Sequence, residues 1–231
     1  MKHISKSELI AEFLGSMFLV MAAIASMILF TIVFDAPKGI AVFANAIAVA
    51  FVLCALIEMF APISGAYFNP VVTMIMAFEK KITASKAAIF VLFQFVGGIV
   101  GTVFSHLMFF DEVGALLSVS ENVRNRYVLF GEIFGTFILV FAILLLVKAG
   151  SSKISIVLGF LVGGQLVATS STMFANPQVT VARMFTNTAA GIRPIDGIIF
   201  IAMQVVGALL AYAIYRFAFA KKSHGYGAEE K

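Results

Sequence analysis

The stretch STMFANPQVTVAR, residues 171–183, lies between two long apolar runs and decides the fold of the chain. Proline cannot continue a helix through its own position, but it fits the first turn of a helix that an asparagine caps. Asn176 and Pro177 therefore predict a helix start. The question is why a helix should begin at this point of so apolar a chain.

The composition is typical of a membrane protein. The 231 residues are 61% hydrophobic and 12% charged, whereas globular chains are about 45–50% apolar and about 25% charged. Apolar runs of about 18 residues or more predict membrane-spanning helices. Six such runs predict an all-α protein that crosses the bilayer six times, over residues 8–34, 39–60, 85–110, 127–147, 154–172 and 195–220.

The lysines and arginines indicate how the chain is inserted. With the N-terminus inside, eleven of them fall at the inner face and four at the outer face, and an excess of basic residues marks the cytoplasmic side. Both termini are therefore predicted to be cytoplasmic, in the plasma or inner membrane. Basic residues dispersed along one face also argue against a nucleic-acid partner. The inner set is Lys2, Lys6, Lys80, Lys81, Lys86, Lys148, Lys153, Arg216, Lys221, Lys222 and Lys231, and the outer set is Lys38, Arg124, Arg126 and Arg193.

Three short motifs occur twice and in the same order. AEFLGS at 11–16 returns as GEIFGT at 131–136, NPVVT at 69–73 as NPQVT at 176–180, and QFVGG at 94–98 as QVVGA at 204–208. Each copy holds three spans, and an odd number of spans inverts the second copy relative to the first. The predicted division is a first repeat over 1–110, an extracellular loop over 111–126, a second repeat over 127–220 and a cytoplasmic tail over 221–231.

Each Asn-Pro pair falls between the second and third span of its repeat, in a segment too short to cross a bilayer. The segments from Asn69 to about Glu79 and from Asn176 to about Asn187 have eleven or twelve residues. That length is about 16–18 Å of helix against a hydrocarbon core of about 30 Å. Both are predicted to be re-entrant half-helices that begin near the midplane, one entering from each side.

The meeting of two helix starts at one point explains why a helix begins at Asn176 within so apolar a chain. Their unpaired N–H groups and positive dipole ends converge at mid-membrane, where such backbone is tolerated if it lines a watery cavity or is buried in protein. The amides of Asn69 and Asn176 can donate to a passing neutral oxygen, while the paired dipoles oppose cations and interrupt proton transfer along water. The pattern predicts a pore with this asparagine pair at its midplane.

These motifs resemble the major intrinsic protein family of aquaporins and aquaglyceroporins. The similar segments are AEF at 11–13, SGAYFNPV at 64–71, GE at 131–132 and FANP at 174–177. The resemblance extends from about Glu8 to Arg216. It implies a homotetramer in the lipid bilayer in which each subunit passively conducts water or small uncharged solutes, with no cofactor and no enzymatic activity. The single cysteine, Cys54, lies within a predicted span, so no metal site is expected either.

The chain departs from the family pattern at its selectivity filter. Val71 and Gln178 replace the alanines of the two family signatures, and Val179 stands where the resemblance places the filter arginine. A filter without that arginine is predicted to be wide and apolar, and to pass glycerol-like polyols. Residues 169–177 with 190–192 also resemble a bacterial subgroup associated with arsenic-handling genes, which adds arsenous acid as a candidate solute. The remaining filter positions and the cytoplasmic vestibule position fall on Val49, Gly164, Met173 and Tyr67.

Three ionisable residues near the pore have alternative interpretations. Arg183 lies one turn beyond Val179 on the same helix face. It either folds back as a displaced filter arginine or lies at the outer mouth, bonded to loop carbonyls. Glu12 and Glu132 are predicted to be structural buried acids that accept hydrogen bonds from the half-helix loops. The alternative is a proton relay, which would suit an ion- or proton-coupled transporter with inverted repeats.

Overall fold

The structure, a computed structural model, describes residues 4–220. Lys2 and the predicted tail 221–231 lie outside the described residues, as does the side chain of Arg126. Within 4–220 the chain forms helices and connections without β-strands. The α-helices are α1 (Lys6–Ile28), α2 (Lys38–Ser64), α3 (Pro70–Phe78), α4 (Ala84–Met108), α5 (Phe110–Val113), α6 (Leu129–Lys148), α7 (Ile154–Ala168), α8 (Pro177–Arg183) and α9 (Pro194–Ile214).

Short turns of other helix types extend this set. A π-helical turn over Leu29–Val33 continues α1, another over Tyr215–Phe219 continues α9, and a 3-10 turn over Arg126–Val128 precedes α6. Because successive spans alternate in direction, α1 begins and α9 ends at one face of the bundle, which we name the termini face. The opposite face, where residues 109–128 connect the two repeats, is the loop face.

Five of the six predicted spans are long and apolar enough to cross a membrane, namely α1 and α9 with their extensions, α2, α4 and α6. The sixth, α7, has 15 residues and ends at Ala168 rather than at residue 172. It ends there because Thr169 adopts an extended backbone, with φ −102° and ψ 146°. From that residue the chain turns back toward the midplane to reach Asn176.

The two half-helices start where the asparagines predict. Asn69 precedes α3 and Asn176 precedes α8, each with an extended backbone and with proline at the first helical position. The helices are shorter than expected, with nine residues in α3 and seven in α8. The larger difference is at α8, which ends at Arg183 rather than near Asn187.

Glycines allow the spans of each repeat to pack closely. Helix α1 packs along α4, and α6 packs in the same way along α9. A Cβ atom added to Gly97 would lie 2.3 Å from the Phe13 carbonyl oxygen, and one added to Gly207 would lie 2.4 Å from that of Ile133. Backbones this close require small residues at the crossing. The repeated motifs therefore correspond to repeated helix crossings.

Large apolar side chains cover the sides of the bundle. Phe51, Phe134 and Phe160 are each more than 60% exposed. In lipid such a surface meets hydrocarbon instead of water, so it needs no covering layer. Buried polar side chains lie inside the bundle, around the first residues of the two half-helices.

Candidate functional site: the cavity between the half-helices

The two asparagines hold the half-helix starts together. Asn69 Oδ1 accepts from the Val71 amide and Asn176 Oδ1 from the Gln178 amide, each at 3.1 Å. Each carboxamide also reaches the opposite repeat, because Asn69 Nδ2 donates to Ala175 O at 2.8 Å and Asn176 Nδ2 donates to the Phe68 carbonyl at 2.9 Å. An Nδ2 group has two protons, so one proton of each amide remains for a ligand.

Glu12 supports the loop that leads to Asn69. Its Oε1 accepts from Ser64 Oγ at 2.6 Å and from the Tyr67 amide at 3.1 Å, and its Oε2 accepts from the Phe68 amide at 2.9 Å. Gln94 Nε2 adds a fourth bond to Oε2 at 2.7 Å. The carboxylate is fully buried, and every bond fixes loop or helix geometry. This is the contact that the sequence predicts for Glu12.

Glu132 supports the second loop in the same way. Its Oε1 accepts from the Phe174 amide and its Oε2 from the Ala175 amide, each at 2.9 Å. Gln204 Nε2 donates to Oε2 at 2.6 Å. Neither Glu132 nor Glu12 lines the cavity that lies between the two repeats, so neither is in contact with a passing solute. The predicted loop contact is present, and the geometry required of a proton relay is not.

One threonine in each repeat, which the sequence analysis missed, completes the polar cluster of glutamate, glutamine and capping asparagine. Thr73 Oγ1 accepts from Gln94 Nε2 at 2.8 Å, and Thr180 Oγ1 accepts from Gln204 Nε2 at 2.9 Å. Each threonine hydroxyl then donates to the carbonyl of its own capping asparagine at 2.9 Å. The signal was available, since threonine is the fifth residue of both NPxVT motifs.

A cavity of about 190 Å³ lies between the repeats and contains the asparagine pair in its lining. Its lining extends from Val147 and Ile154, near the termini face, to Arg183 toward the loop face. Three helices contribute rows of three or more residues four apart, as expected for one face of a helix. These rows are Asn45, Val49, Leu53, Ile57 and Ala61 on α2, Leu139, Ile143 and Val147 on α6, and Ile154, Leu158, Val162 and Leu166 on α7.

Most of the predicted filter residues lie in this lining, but Gly164 does not. Val49, Met173 and Val179 line the cavity, as does the predicted vestibule residue Tyr67. Gly164 is exposed. It lies two residues from both Val162 and Leu166, and two residues along a helix correspond to a rotation of about 200°, so it lies on nearly the opposite face of α7. The structure therefore does not bring Gly164 into the cavity lining with the other predicted filter residues. The α7 side of the cavity is lined by the row listed above, in which Val162 and Leu166 flank that position.

Arg183 has features of both proposed interpretations. It is 4% exposed and lines the cavity. Its Nε donates to the Ala190 carbonyl, as an arginine at the mouth would do. Its guanidinium also stacks on Phe174, with Cζ 3.7 Å from the ring centroid, a geometry that favours cation–π attraction. Since Phe174 precedes the half-helix, this contact draws the side chain back along α8.

A second arginine lies on the same aromatic ring. The Cζ atom of Arg124 is 5.5 Å from the Phe174 centroid, and its Nη2 donates to Gly191 O at 3.2 Å. Burial lowers the pKa of Arg124, and the nearby Glu132 and Asp196 charges oppose that shift. Arg124 thus connects the loop face to the mouth of the cavity, a role that no sequence motif indicated.

Asn45 is a polar residue of the cavity lining that the sequence analysis missed. It is 4% exposed and lies four residues before Val49 on the cavity face of α2. A single asparagine within an apolar span, in phase with a predicted filter residue, was the available signal. Polar side chains within spans are functional candidates by default.

Comparisons with known proteins agree with this geometry. The sequence profile of the family described as Major intrinsic protein matches residues 2–174. Aquaglyceroporin AqpS of Rhizobium meliloti (strain 1021) is 35% identical over 209 residues, which cover 90% of this chain and 88% of the relative. Aquaporin-4 of Mus musculus is 27% identical over 175 residues, which cover 72% of this chain and 53% of the relative.

A solved structure has the same fold. The aquaglyceroporin from Plasmodium falciparum superposes with a TM-score of 0.72 at 19% sequence identity, over 93% of this chain and 96% of that one. Identity at this level supports the shared fold alone. The inverted repeats and the paired half-helices are therefore a known architecture.

Proposed function

The chain belongs to the major intrinsic protein family, and from that premise we propose that it is a wide-filter channel for glycerol-like polyols, with arsenous acid as a further candidate solute. Membership makes it a passive membrane channel for water and small solutes rather than an enzyme. The name of its relative, an aquaglyceroporin, supports the polyol class. The conduction of glycerol-like polyols and arsenous acid is what we propose beyond family membership.

One observation carries the proposal: the lining is apolar where the resemblance places the constriction. Val179 occupies the position expected to hold arginine, and Val49 and Met173 lie in the same lining. These side chains can contact the carbon side of a three-carbon solute, while the amides of Asn69 and Asn176 donate to its hydroxyls. Val162 and Leu166 line the α7 side of the cavity, where the resemblance places Gly164. Their side chains keep this side of the cavity apolar.

The charges around the cavity favour neutral solutes. The two half-helix starts direct their positive dipole ends at the midplane, which opposes cations and protons. Among the lining residues, all of which lie within 4–220, Arg183 is the one with a formal charge. Coupling to an ion gradient needs an ionisable group that the transported ion can reach. Glu12 and Glu132 lie outside the lining, so the coupled-transporter alternative has no support.

We also propose an orientation and an assembly. Both termini are cytoplasmic in the plasma or inner membrane, since the termini face holds basic residues such as Lys80, Lys81 and Lys153, and such residues mark the cytoplasmic side. The protein is a homotetramer of subunits that each have a pore, as the family resemblance implies. Protease protection of tagged termini and mass measurement in detergent test these two points.

Solute flux into liposomes tests the function. We expect liposomes that contain the purified protein to swell faster than protein-free liposomes in glycerol, urea and arsenous acid. Their water flux should also be faster. The rates should not change when proton or sodium gradients are imposed or removed, because no lining group couples flux to an ion. Accumulation of any solute against its own gradient would contradict a passive channel.

A further inference from the structure

We propose that Asn45 and Arg183 form a polar ring one helical turn beyond the apolar filter, and that this ring binds the hydroxyl groups of a polyol before it enters. The inference rests on the proposed neutral-solute pore and names the residues that select among such solutes. Its basis is a buried acceptor and a set of buried donors that face one cavity and have no hydrogen-bond partner among the described residues 4–220.

The orientation of the Asn45 carboxamide is fixed by its neighbours. Its Nδ2 donates to Ala23 O at 2.9 Å and to Ser26 Oγ at 2.8 Å. The Ser26 hydroxyl donates its own proton to Ala22 O at 2.6 Å, so both neighbours of the carboxamide require a donor. The nitrogen must therefore face α1. Its two protons are then used, and Oδ1 is left toward the cavity as an acceptor.

The Oδ1 atom of Asn45 has no partner within residues 4–220. No described donor bonds to it, and it is not among the atoms that are closed off from solvent without a hydrogen bond. Because Asn45 is 4% exposed and lines the cavity, we infer that this atom faces the cavity. A buried acceptor in that position requires a hydrogen-bond donor from a ligand or from water.

Arg183 supplies donors on the same cavity. Its Nε is bonded to Ala190 O and its guanidinium plane is fixed on the Phe174 ring. Within the described part of the chain, Nη1 and Nη2 have no hydrogen-bond partner, and neither atom is closed off from solvent. The Nε bond alone would anchor the 184–193 loop. The two Nη groups are not needed to anchor this loop and remain available to a solute.

Asn45 and Arg183 lie on the same side of the apolar filter. Asn45 precedes Val49 by four residues on α2, which begins at the loop face. Arg183 follows Val179 by four residues on α8, which runs toward the loop face. Four residues correspond to about 6 Å of helix. A solute arriving from the loop face therefore meets this polar ring about one turn before the apolar filter.

The chemistry of the ring fits a small neutral polyol. One hydroxyl can donate to Asn45 Oδ1, and another oxygen can accept from the Nη groups of Arg183. These bonds replace water that the solute loses on entry, and bonds of this type contribute to selection because an unpaired buried polar group is unfavourable. The more hydroxyls a solute has, the more it depends on the ring.

The test compares two three-carbon solutes, glycerol and 1,3-propanediol, which differ by one hydroxyl. Flux is measured in liposomes containing unmodified protein, Asn45→Leu, Arg183→Leu or Met184→Leu, with the lipid background subtracted. Met184 is the matched control, because it directly follows Arg183 and is buried but does not line the cavity. We expect the glycerol-to-propanediol ratio to fall about fivefold in the first two variants and to stay unchanged in Met184→Leu.

Equal changes in both fluxes would overturn the proposal, since the residues would then only set the aperture. If Arg183→Leu does not fold, Arg183→Lys retains a donor and should keep most of the ratio, whereas loss of the ratio would contradict the ring. If the unmodified protein conducts water alone, the polyol function fails separately. In that case the ring still predicts altered water flux in Asn45→Leu but not in Met184→Leu, and unaltered water flux in Asn45→Leu overturns it.

Discussion

The two loops that lead to the midplane, residues 64–69 and 171–176, reach one backbone geometry with different residues. Both have three residues in the left-handed region, which is unusual outside glycine. In the first loop, glycine occupies one of these positions. In the second loop, threonine, a β-branched residue, occupies the same position. The residues are Gly65, Ala66 and Phe68 in the first loop, and Thr172, Met173 and Ala175 in the second.

The difference separates groups that hold the fold from groups that meet the solute. The glutamate, glutamine, threonine and asparagine of each polar cluster occur in both repeats with matching hydrogen bonds. The lining residues seven positions after each capping asparagine differ, since Met76 in the first repeat corresponds to Arg183 in the second. A duplicated scaffold thus has an unsymmetrical lining.

Replacing the glycine at the helix crossing with alanine should destabilise the protein by the same amount in either repeat. Gly97→Ala and Gly207→Ala each place a Cβ within 2.4 Å of a backbone carbonyl on the facing helix. Because that backbone cannot give way locally, each should lower the free energy of unfolding by about 3 kcal/mol. The measurement is the fraction of monodisperse protein that remains after heating in detergent.

Gly164→Ala is the control for both crossing variants. A Cβ added there meets nothing within 4 Å, so we expect no change in stability or in flux. Tolerance of one crossing variant and loss of the other would show that the two repeats do not pack equivalently.

The buried acids should be the next most sensitive pair. Glu12→Gln and Glu132→Gln each replace an accepting oxygen with a donating NH₂ group that faces loop amides. Leaving such buried donors unsatisfied should lower the free energy of unfolding by about 2 kcal/mol. Recovery of the folded oligomer should therefore fall in both. Normal recovery with abolished flux would instead indicate a proton relay.

The smallest predicted effect separates the two loops. Gly65→Thr places a side chain at φ +95°, with its Cβ 2.9 Å from the Tyr67 ring, and should destabilise the protein by about 1–2 kcal/mol. Thr172→Gly removes strain at φ +58° but adds freedom to the unfolded chain, so its net effect should be within about 1 kcal/mol of zero. Thermal scans in detergent measure both. Equal losses would mean that the loops are under the same constraint.

Much of the fold could be predicted from the sequence because its signals are local or repeated. Asn-Pro defines a helix start by its own chemistry, and the doubled motifs define the symmetry. The end of α7 could not be predicted, since Thr169 leaves the helix only because the chain must return to Asn176. The same dependence applies to Gly164, which the family resemblance assigns to the filter by its position in the chain, whereas packing decides which face of α7 lines the cavity.

The candidate site was less predictable because its polar partners come from distant segments. The orientation of Asn45 depends on Ser26 of a neighbouring helix, and the position of Arg183 depends on Phe174 and on the carbonyl of Ala190. Nothing in the local sequence indicates these contacts. Sequence spacing placed Arg183 near the filter but left its two interpretations open.

The most direct test of the account is the ratio of glycerol flux to water flux in liposomes, compared between unmodified protein and Val179→Arg. A valine at this position leaves the filter wide and apolar, so the unmodified protein should conduct both. Arginine should narrow the aperture and lower glycerol flux by about tenfold, with a smaller decrease in water flux. Strong water flux without glycerol flux in the unmodified protein would contradict the wide filter, and would indicate that Arg183 already closes it to solutes.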